Sequence, residues 1–450
     1  LNVELVTGNF VNNTDYTFWA LSAWGGGDMG WPSLVSFYQD RILFGSTHKS
    51  PDTIWNSNVG NLFLMMVPRT ALDQGFKYFG AVQASDAFDI TPSVGQISKL
   101  RWIVTERYIT CGSERAEFIL QGIDGSYSAT NSSIVSPTGF GAGLASIGFR
   151  AQDATFFVER GNKALRELSF SEENGGYTSR LISLLGPDTE SISSVDYSYD
   201  TSRIYMADGT NNIYVCTLEK GSGILAWSIL KVPETVTEVV VVKDGAGNDT
   251  LVYTSSNNEV HLISFYDEDS SGPDAEIICA VRKAQNFSVL DTPTHYTFPT
   301  GYGVDGEEVN YITDTGETGI ETLTTANGYP AILKPSGSQS VIVYKEPLTS
   351  RIKTLPYLAG SLFGSPQLAL KRNDDTLFRF YKSYAGVKAG HSTTGLKTIE
   401  IDDSQGAYTG HVRQNLIGTP EIDHSVIIEN TTIKPFSLVS ISTRGLTQEG

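Results

Sequence analysis

The chain has 450 residues, with 32 Lys and Arg against 50 Asp and Glu, a formal net charge of −18 and 44 glycines. This length exceeds one ordinary domain and can bury a large core, so we expect two or more domains. No stretch approaches the roughly 18 apolar residues that span a bilayer, and the N-terminus lacks a basic region followed by an apolar one. These features exclude a helical membrane protein and a visible secretion signal. Because the first residue is Leu1, we expect a processed chain or a piece of a longer one.

The first strand pair predicted along the chain begins at Ile42. Its segment Ile42–Ser46 matches Ile109–Ser113 in the position of a Gly-Ser corner. The two lie 67 residues apart, about twenty more than the interval that follows, which predicts an insertion near residues 61–95. The insertion contains the apolar run Leu62–Pro68 and then Asp73–Phe79. We expect it to present apolar surface outside its own blade; the alternative is one more buried strand.

Four further pairs of strand-like segments follow at a nearly constant interval. They start at Ile109, Phe156, Ile204 and Leu251, with intervals of 47, 48 and 47 residues. Each consists of a strand, a polar turn and a second strand, and each follows another β-rich run. Blades of three or four strands are therefore expected, and a period of roughly 40–50 residues built from short strands is typical of a β-propeller.

The polar turns of these pairs carry residues that tolerate positive φ. We assign Gly112, Gly161, Gly209 and the pair Asn257–Asn258 to the turns. A tight hairpin needs such residues, because other side chains are strained at positive φ.

After about residue 290 the period is lost. Strands are predicted over residues 308–313, 340–344, 376–381 and 397–401, and the runs 425–429 and 436–441 are predicted to form a closing hairpin. The predicted fold class is therefore all-β. A β-propeller-like repeat of about five blades occupies residues 1–290, and a C-terminal β-barrel or sandwich domain occupies residues 291–450.

Catalytic and metal-binding signatures are missing from the sequence. There is no Gly-x-Ser-x-Gly, His-Glu-x-x-His or phosphate loop, and Gly139–Gly143 lacks the strand and helix that a phosphate cradle needs. No histidine has another histidine or a cysteine three or four residues away, and Cys111, Cys216 and Cys279 are interpreted as buried thiols. We predict no enzyme activity, cofactor or metal site.

Two acidic loops leave a calcium site open as an alternative. Asp244–Asp249 and Asp267–Gly272 place several oxygen ligands close together, as calcium loops do. Solvated hairpin ends explain both loops equally well.

The first blade carries a resemblance to a known family. Gly30–Gly45, Pro51–Trp55 and Ser57–Phe63 resemble a stretch of the tail nozzle proteins of short-tailed bacteriophages, also called tail tubular protein B. Further similarities follow in order at 97–102, 351–356 and 420–445, so that the resemblance runs from Trp24 to the end. Ser33 departs from the family, which often has Arg there. Nozzle proteins are usually longer at the N-terminus.

The resemblance implies a structural component of a virion tail. Such a protein forms a homohexameric ring at the distal end of a short tail, through which DNA is ejected. Its partners would be the tail adaptor ring, tail fibres or spikes, the host outer surface, and phage DNA that passes without sequence-specific binding. An acidic wall lets DNA slide, because it has the same sign as the phosphates; an acidic surface that only promotes solubility is the alternative. Subunit interfaces are expected at the insertion and the C-terminal domain.

Two other classes of protein are alternatives. A glycan-binding or glycan-cleaving propeller on a virion or cell surface needs an arginine cluster, a tyrosine and paired carboxylates. The chain has many arginines, but they do not recur at one blade position: Arg101, Arg107, Arg115, Arg150, Arg160, Arg166, Arg180 and Arg203. An interaction scaffold of the common cellular propeller type is disfavoured, because the Trp-Asp blade ending is missing.

Overall fold

A computed structural model describes most of the chain. The described residues are 24–25, 27–65, 82–92, 95, 97–123, 125–143, 147–173, 175–243, 247–264, 280–283, 295–298, 305–313, 318–333, 341–344, 346–347, 349–356, 370–404, 406–416, 418–422, 424–432, 434 and 436–448. The chain divides into two compact units, Leu1–Ser194 and Val195–Gly450. Among the described residues, no helix is long and apolar enough to cross a bilayer.

The first unit contains three antiparallel sheets of four strands, each with its strands in chain order. We call them blades 1 to 3. Blade 1 is β1 (Leu34–Tyr38), β2 (Arg41–Gly45), β3 (Ile54–Asn56) and β4 (Phe88–Ile90); blade 2 is β5 (Leu100–Thr105), β6 (Ile109–Ser113), β7 (Glu117–Gln121) and β8 (Ser133–Thr138); blade 3 is β9 (Phe149–Ala151), β10 (Ala154–Val158), β11 (Leu165–Ser171) and β12 (Gly176–Leu181). Two short 3-10 helices, Gly27–Met29 and Ser183–Leu185, flank them.

Blade 2 is apolar on both faces. Strand β5 alternates, with Leu100 and Trp102 buried and the residues between them half-exposed. Leu100 packs in a core with Leu43 of blade 1, whereas Trp102 packs in a second core with Phe157 of blade 3. A sheet buried on both sides is expected for an inner blade, since each face covers the apolar face of a neighbour.

The second unit begins with a four-stranded sheet, blade 4, and a five-stranded sheet whose first four strands, in chain order, we call blade 5. Blade 4 is β13 (Ser194–Ser198), β14 (Arg203–Ala207), β15 (Asn212–Glu219) and β16 (Ile224–Lys231); blade 5 is β17 (Val236–Lys243), β18 (Asp249–Ser255), β19 (Val260–Ser264) and β20 (Ala280–Lys283). The outer edge of blade 5 is paired by β27 (Glu346–Pro347). Such pairing covers an open strand edge.

The described residues in the rest of the second unit form four small antiparallel sheets. Two of them have the strand orders β21 (His295–Thr297), β25 (Tyr329–Leu333), β24 (Thr324–Ala326) and β23 (Thr318–Thr322), β22 (Glu308–Thr313), β26 (Val341–Tyr344). The third has the order β28 (Ser350–Lys353), β33 (Ile427–Asn430), β30 (Val387–Gly390), β31 (Lys397–Thr398). The fourth has the order β32 (Tyr408–Gln414), β29 (Leu370–Ser383), β34 (Ser437–Gln448). The last two sheets share one core, which contains Phe378, Phe380, Ala389 and Ile428. This sandwich-like packing agrees with the predicted C-terminal architecture.

The predicted fold class is confirmed. Each of the five predicted repeats supplies four strands to one antiparallel sheet, and the four regular hairpins pair as expected, for example Ile109 with Leu120 and Ile204 with Cys216. The proposed domain boundary at residue 290 falls outside the described residues and stays a prediction.

The predicted closing hairpin is wrong. Strand β33 pairs with β28 and β30, whereas β34 pairs along its length with β29. The two runs therefore lie in different sheets. Both sheets contribute apolar side chains to one core, and this burial is gained only when the runs separate.

One of the turn glycines, Gly112, was assigned wrongly. Gly112 lies inside β6, where a Cβ atom would lie 2.2 Å from Cε2 of Trp102. Gly161 does lie in the turn of blade 3, but the residue with positive φ there is Asn162. Gly209 and Asn258 do adopt positive φ, at 76° and 61°. The glycine of β6 is thus required by close packing against an indole ring, because any side chain would clash there.

Candidate functional site

The residues that carry the family resemblance form blade 1, and Arg41 lies at their centre. Arg41 opens β2 and is only 1% exposed. Its guanidinium donates to the backbone carbonyls of Ser57, of Asp86 at 2.7 Å and of Ala84 at 2.6 Å. Burial lowers the pKa of Arg41, but an arginine stays charged in a protein and its buried donors need acceptors. The three carbonyls accept from its two terminal nitrogens, whereas its Nε has no hydrogen-bond partner among the described residues.

These hydrogen bonds join the segment before the predicted insertion to the later part of the insertion. Ser57 lies just before residue 61, and Ala84 and Asp86 lie within 61–95. Two backbone hydrogen bonds reinforce the junction, from Val59 N to Ser85 O at 3.0 Å and from Asn58 N to Leu64 O at 2.9 Å. We call residues 57–65 together with 82–87 the insert base. Its backbone is fixed by a buried charge, although the middle of the insertion, 66–81, lies outside the described residues.

The insert base presents apolar side chains to solvent. Phe63 is 96% exposed, and Val59, Leu62, Leu64 and Val82 are also exposed. The predicted alternative of a buried strand is wrong for residues 62–64, which lie in a turn and in irregular structure and face solvent. The remainder of that apolar run and the segment Asp73–Phe79 lie outside the described residues.

Strand β1 adds a second exposed apolar surface to the same blade. Ser36 and Tyr38 point toward blade 2, where Ser36 Oγ lies 3.2 Å from Thr105 Oγ1 and Tyr38 donates to Arg107 O at 2.7 Å. The alternate residues Val35 and Phe37 are both more than half exposed. One face of β1 is therefore packed and the other open. Exposed apolar surface on a rigid element is typical of a protein interface.

Three of the arginines weighed for a glycan-cleaving site are each paired with a different carboxylate in the described part of the first unit. Arg101 pairs with Glu114, Arg150 with Glu106 at 3.2 Å and Arg166 with Glu159 at 2.6 Å. Each of these three arginines thus has its own carboxylate.

The loops considered for calcium or phosphate have other roles where they are described. Asp249 accepts from Ser198 Oγ at 2.8 Å and pairs with Lys243 Nζ at 2.8 Å; burial would raise its pKa, but these partners hold it below its usual value. Residues 244–246 and the whole of Asp267–Gly272 lie outside the described residues. A Cβ on Gly141 would lie 2.4 Å from the carbonyl oxygen of Glu114, so this glycine serves packing.

The two described cysteines are buried and free, as predicted. Burial raises the pKa of Cys111 above its usual value, and raises that of Cys216 to about 12. Both thiols therefore stay protonated and behave as small apolar side chains. Cys279 lies outside the described residues.

One cluster was missed by the sequence analysis. Glu234, Glu259 and His261 bring one ligand-type atom each to within 4.8 Å of one another in the second unit. Glu259 and His261 are only two residues apart in the sequence, whereas Glu234 comes from the segment before blade 5. The usual metal-ligand spacing of three or four residues does not detect this set, because Glu259 lies only two residues before His261.

The fold and these surfaces define an all-β protein built on propeller-like blades. No protein-family model and no curated protein matches the chain. Three similar solved structures are BBS1N in complex with ARL6DN (12% identity, TM-score 0.33, 69% of this chain and 80% of that one), Chaetomium thermophilum Raptor (10%, 0.34, 72% and 28%) and the Cps50 (Swd1) β-propeller domain of Myceliophteria thermophila (8%, 0.33, 72% and 89%). At TM-scores this low, the likenesses carry no argument about function, and the fold class rests on the sheets themselves.

Proposed function

We propose that the protein is a structural component of a phage virion tail, a homohexameric nozzle ring through which DNA is ejected into the host. The observation that supports this role is the coincidence of two features in blade 1. The stretch that resembles the tail nozzle proteins, Gly30–Phe63, is also the part that presents open apolar surface on a rigid base.

The proposed occupant of that surface is a second copy of the chain. The insert base is held by the buried guanidinium of Arg41, so Phe63 and its neighbours are presented in a fixed arrangement. A pre-organised apolar surface loses little conformational entropy on binding. Repeated around a closed ring, one such contact per subunit gives an assembly without open ends.

The charge of the chain is consistent with DNA passage. Each copy carries a net charge of −18, and a ring multiplies it by the number of subunits. An acidic channel wall releases no counterions from DNA, so it gives DNA no electrostatic reason to adhere. In this proposal the protein is not an enzyme. It lies at the distal end of the tail and contacts the adaptor ring, the fibres or spikes and the host outer surface.

Electron microscopy of the protein with its adaptor ring tests the proposal. We expect a closed six-fold ring with a central channel. Phe63→Ser should lower the fraction of rings at least about tenfold, because it removes apolar area from the interface. The matched control is Ile123→Ser, which changes an exposed apolar residue of blade 2 and should leave the rings intact. A stable monomer in assembled tails would refute the proposal, as would equal loss of rings in both variants.

A further inference from the structure

Blade 5 and the segment that precedes it place three metal-ligand side chains around one point. Glu259 lies in the turn between β18 and β19, and His261 lies on β19. Glu234 lies in the connection from blade 4 to blade 5. Their ligand atoms all lie within 4.8 Å of one another, and the separation of His261 Nε2 from Glu259 Oε2 is 3.6 Å.

Backbone hydrogen bonds fix the two segments that carry the carboxylates. Val236 N donates to Thr210 O at 2.8 Å, and Ser256 N donates to Thr235 O at 3.0 Å. The connection that carries Glu234 is therefore bonded both to blade 4 and to the β18–β19 turn of blade 5. The turn is closed by Ser255 N to Glu259 O at 2.9 Å. The positions of Glu234 and Glu259 are therefore set before any ligand binds, as a preformed site requires.

Contacts with Tyr253 also orient the side chains of His261 and Glu234. The ring of His261 is 1% exposed and stacks on Tyr253, with ring centroids 4.8 Å apart. The hydroxyl of Tyr253 in turn donates to Glu234 Oε2 at 3.2 Å. Burial and the charge of Glu234 raise the pKa of Tyr253, so its hydroxyl keeps the proton that it donates. Hydrogen bonds of this kind hold a ligating carboxylate in place.

The geometry and the charge suit a cation. Ligand atoms about 2.1 Å from a tetrahedral zinc ion lie roughly 3.4 Å apart, close to the observed separation of His261 and Glu259. Glu234 is 9% exposed, and two carboxylates this close in a buried place repel one another, an energy that a divalent cation would offset. We propose that Glu234, Glu259 and His261 bind a divalent transition-metal ion, with Zn²⁺ as the probe.

The ligand set favours zinc over calcium. Calcium takes oxygen ligands only, and usually six to eight of them, whereas an imidazole nitrogen with carboxylates suits zinc or cobalt. Three protein ligands leave a fourth position for water. The ion would enter from the side of Glu259, whose side chain is 29% exposed, and would join the connection before blade 5 to the β18–β19 turn. The site does not depend on the proposed role in a tail.

Zinc titration of the full chain after removal of metal by a chelator tests the site. We expect one equivalent of Zn²⁺ to bind and to raise the unfolding temperature. Glu259→Gln should weaken binding by more than the roughly 10–100-fold that loss of an outer partner costs, and Tyr253→Phe should weaken it within that range. Glu238→Gln, an exposed carboxylate on β17, is the matched control and should bind as the unchanged protein does.

The visible spectrum with Co²⁺ gives a second readout, because a nitrogen ligand shifts its absorption bands. His261→Gln should lose that signature; because His261 is buried, circular dichroism must first show that this variant folds. Glu259 is partly exposed, so Glu259→Gln tests the site even if His261→Gln does not fold. Three results would each overturn the site: no saturable binding, equal binding by Glu259→Gln, or tighter binding of Ca²⁺ than of Zn²⁺.

Discussion

Blades 1 and 2 have the same four-stranded order but use their apolar side chains differently. All five residues of β6 and four of the five in β7 are buried, so the inner strands of blade 2 face neighbours on both sides. In blade 1, β1 alternates between half-exposed and exposed residues, and the insert base adds more exposed apolar side chains. The regular blade supports the fold, whereas the blade that departs from the period keeps apolar surface for a partner.

The largest expected effect separates two phenylalanines, one in each blade. Phe118→Ala in β7 should lower the free energy of unfolding by about 3–5 kcal/mol, because it leaves a cavity in a core where this side chain is 1% exposed. Phe63→Ala should change it by less than about 0.5 kcal/mol, since that ring is already in water. Urea unfolding of the monomer measures both. Similar costs for the two variants would contradict the division between the blades.

The next effect concerns the buried arginine. Arg41→Met should cost about 3 kcal/mol, because it leaves the carbonyls of Ser57, Ala84 and Asp86 without their charged donor. Hydrogen exchange should rise first in the insert base. The control is Arg180→Ala, which changes an exposed arginine on β12. It should neither lower the free energy of unfolding nor raise hydrogen exchange in the insert base. If exchange in Arg41→Met rose evenly over the first unit, the arginine would not be a clamp specific to the insertion.

A smaller effect is expected from the glycine inside β6. Gly112→Ala should cost about 1–3 kcal/mol, because the new methyl group overlaps the ring of Trp102. Trp102→Leu in the same chain should recover part of this loss by removing the ring. Thermal unfolding of the two single variants and the double variant measures the coupling. Purely additive costs would show that the strain arises elsewhere.

The smallest expected effect is a pH dependence of stability, which arises outside blades 1 and 2. Burial lowers the pKa of His424 below its usual 6.5, and neighbouring His391, 4.0 Å away between ring centroids, lowers it further. The unfolded chain therefore takes up a proton that the folded chain resists. This contribution to stability is fully present above about pH 6.5 and is lost progressively as the pH falls below that value.

Hydrogen exchange at pH 7.5 and 5.5 locates this effect. Exchange should rise in β29, β30 and β33 at the lower pH but not in blades 1 and 2. His424→Gln should reduce the difference, and the exposed His411 provides the control His411→Gln. A response of the same size in the blades would assign the pH dependence to other groups.

How much the sequence predicts differs between the repeat and the sites. The regular hairpins and the five blades follow from the sequence, because alternation and turn residues act between neighbours along the chain. The partners of Arg41 do not, since Ala84 and Asp86 lie more than forty residues away, within the predicted insertion. The pairing of β34 with β29 rather than β33 likewise depends on a core shared by distant strands.

The sequence by itself determined the all-β class, the period and the place where the period breaks. Only the tertiary structure decided that Gly112 packs against an indole ring, that a buried guanidinium holds the insert base, and that Glu234 meets Glu259 and His261. The physical reason is the range of the interactions. Strand and turn preferences depend on adjacent residues, whereas burial of a charge or assembly of three ligands depends on which distant segments the core brings together.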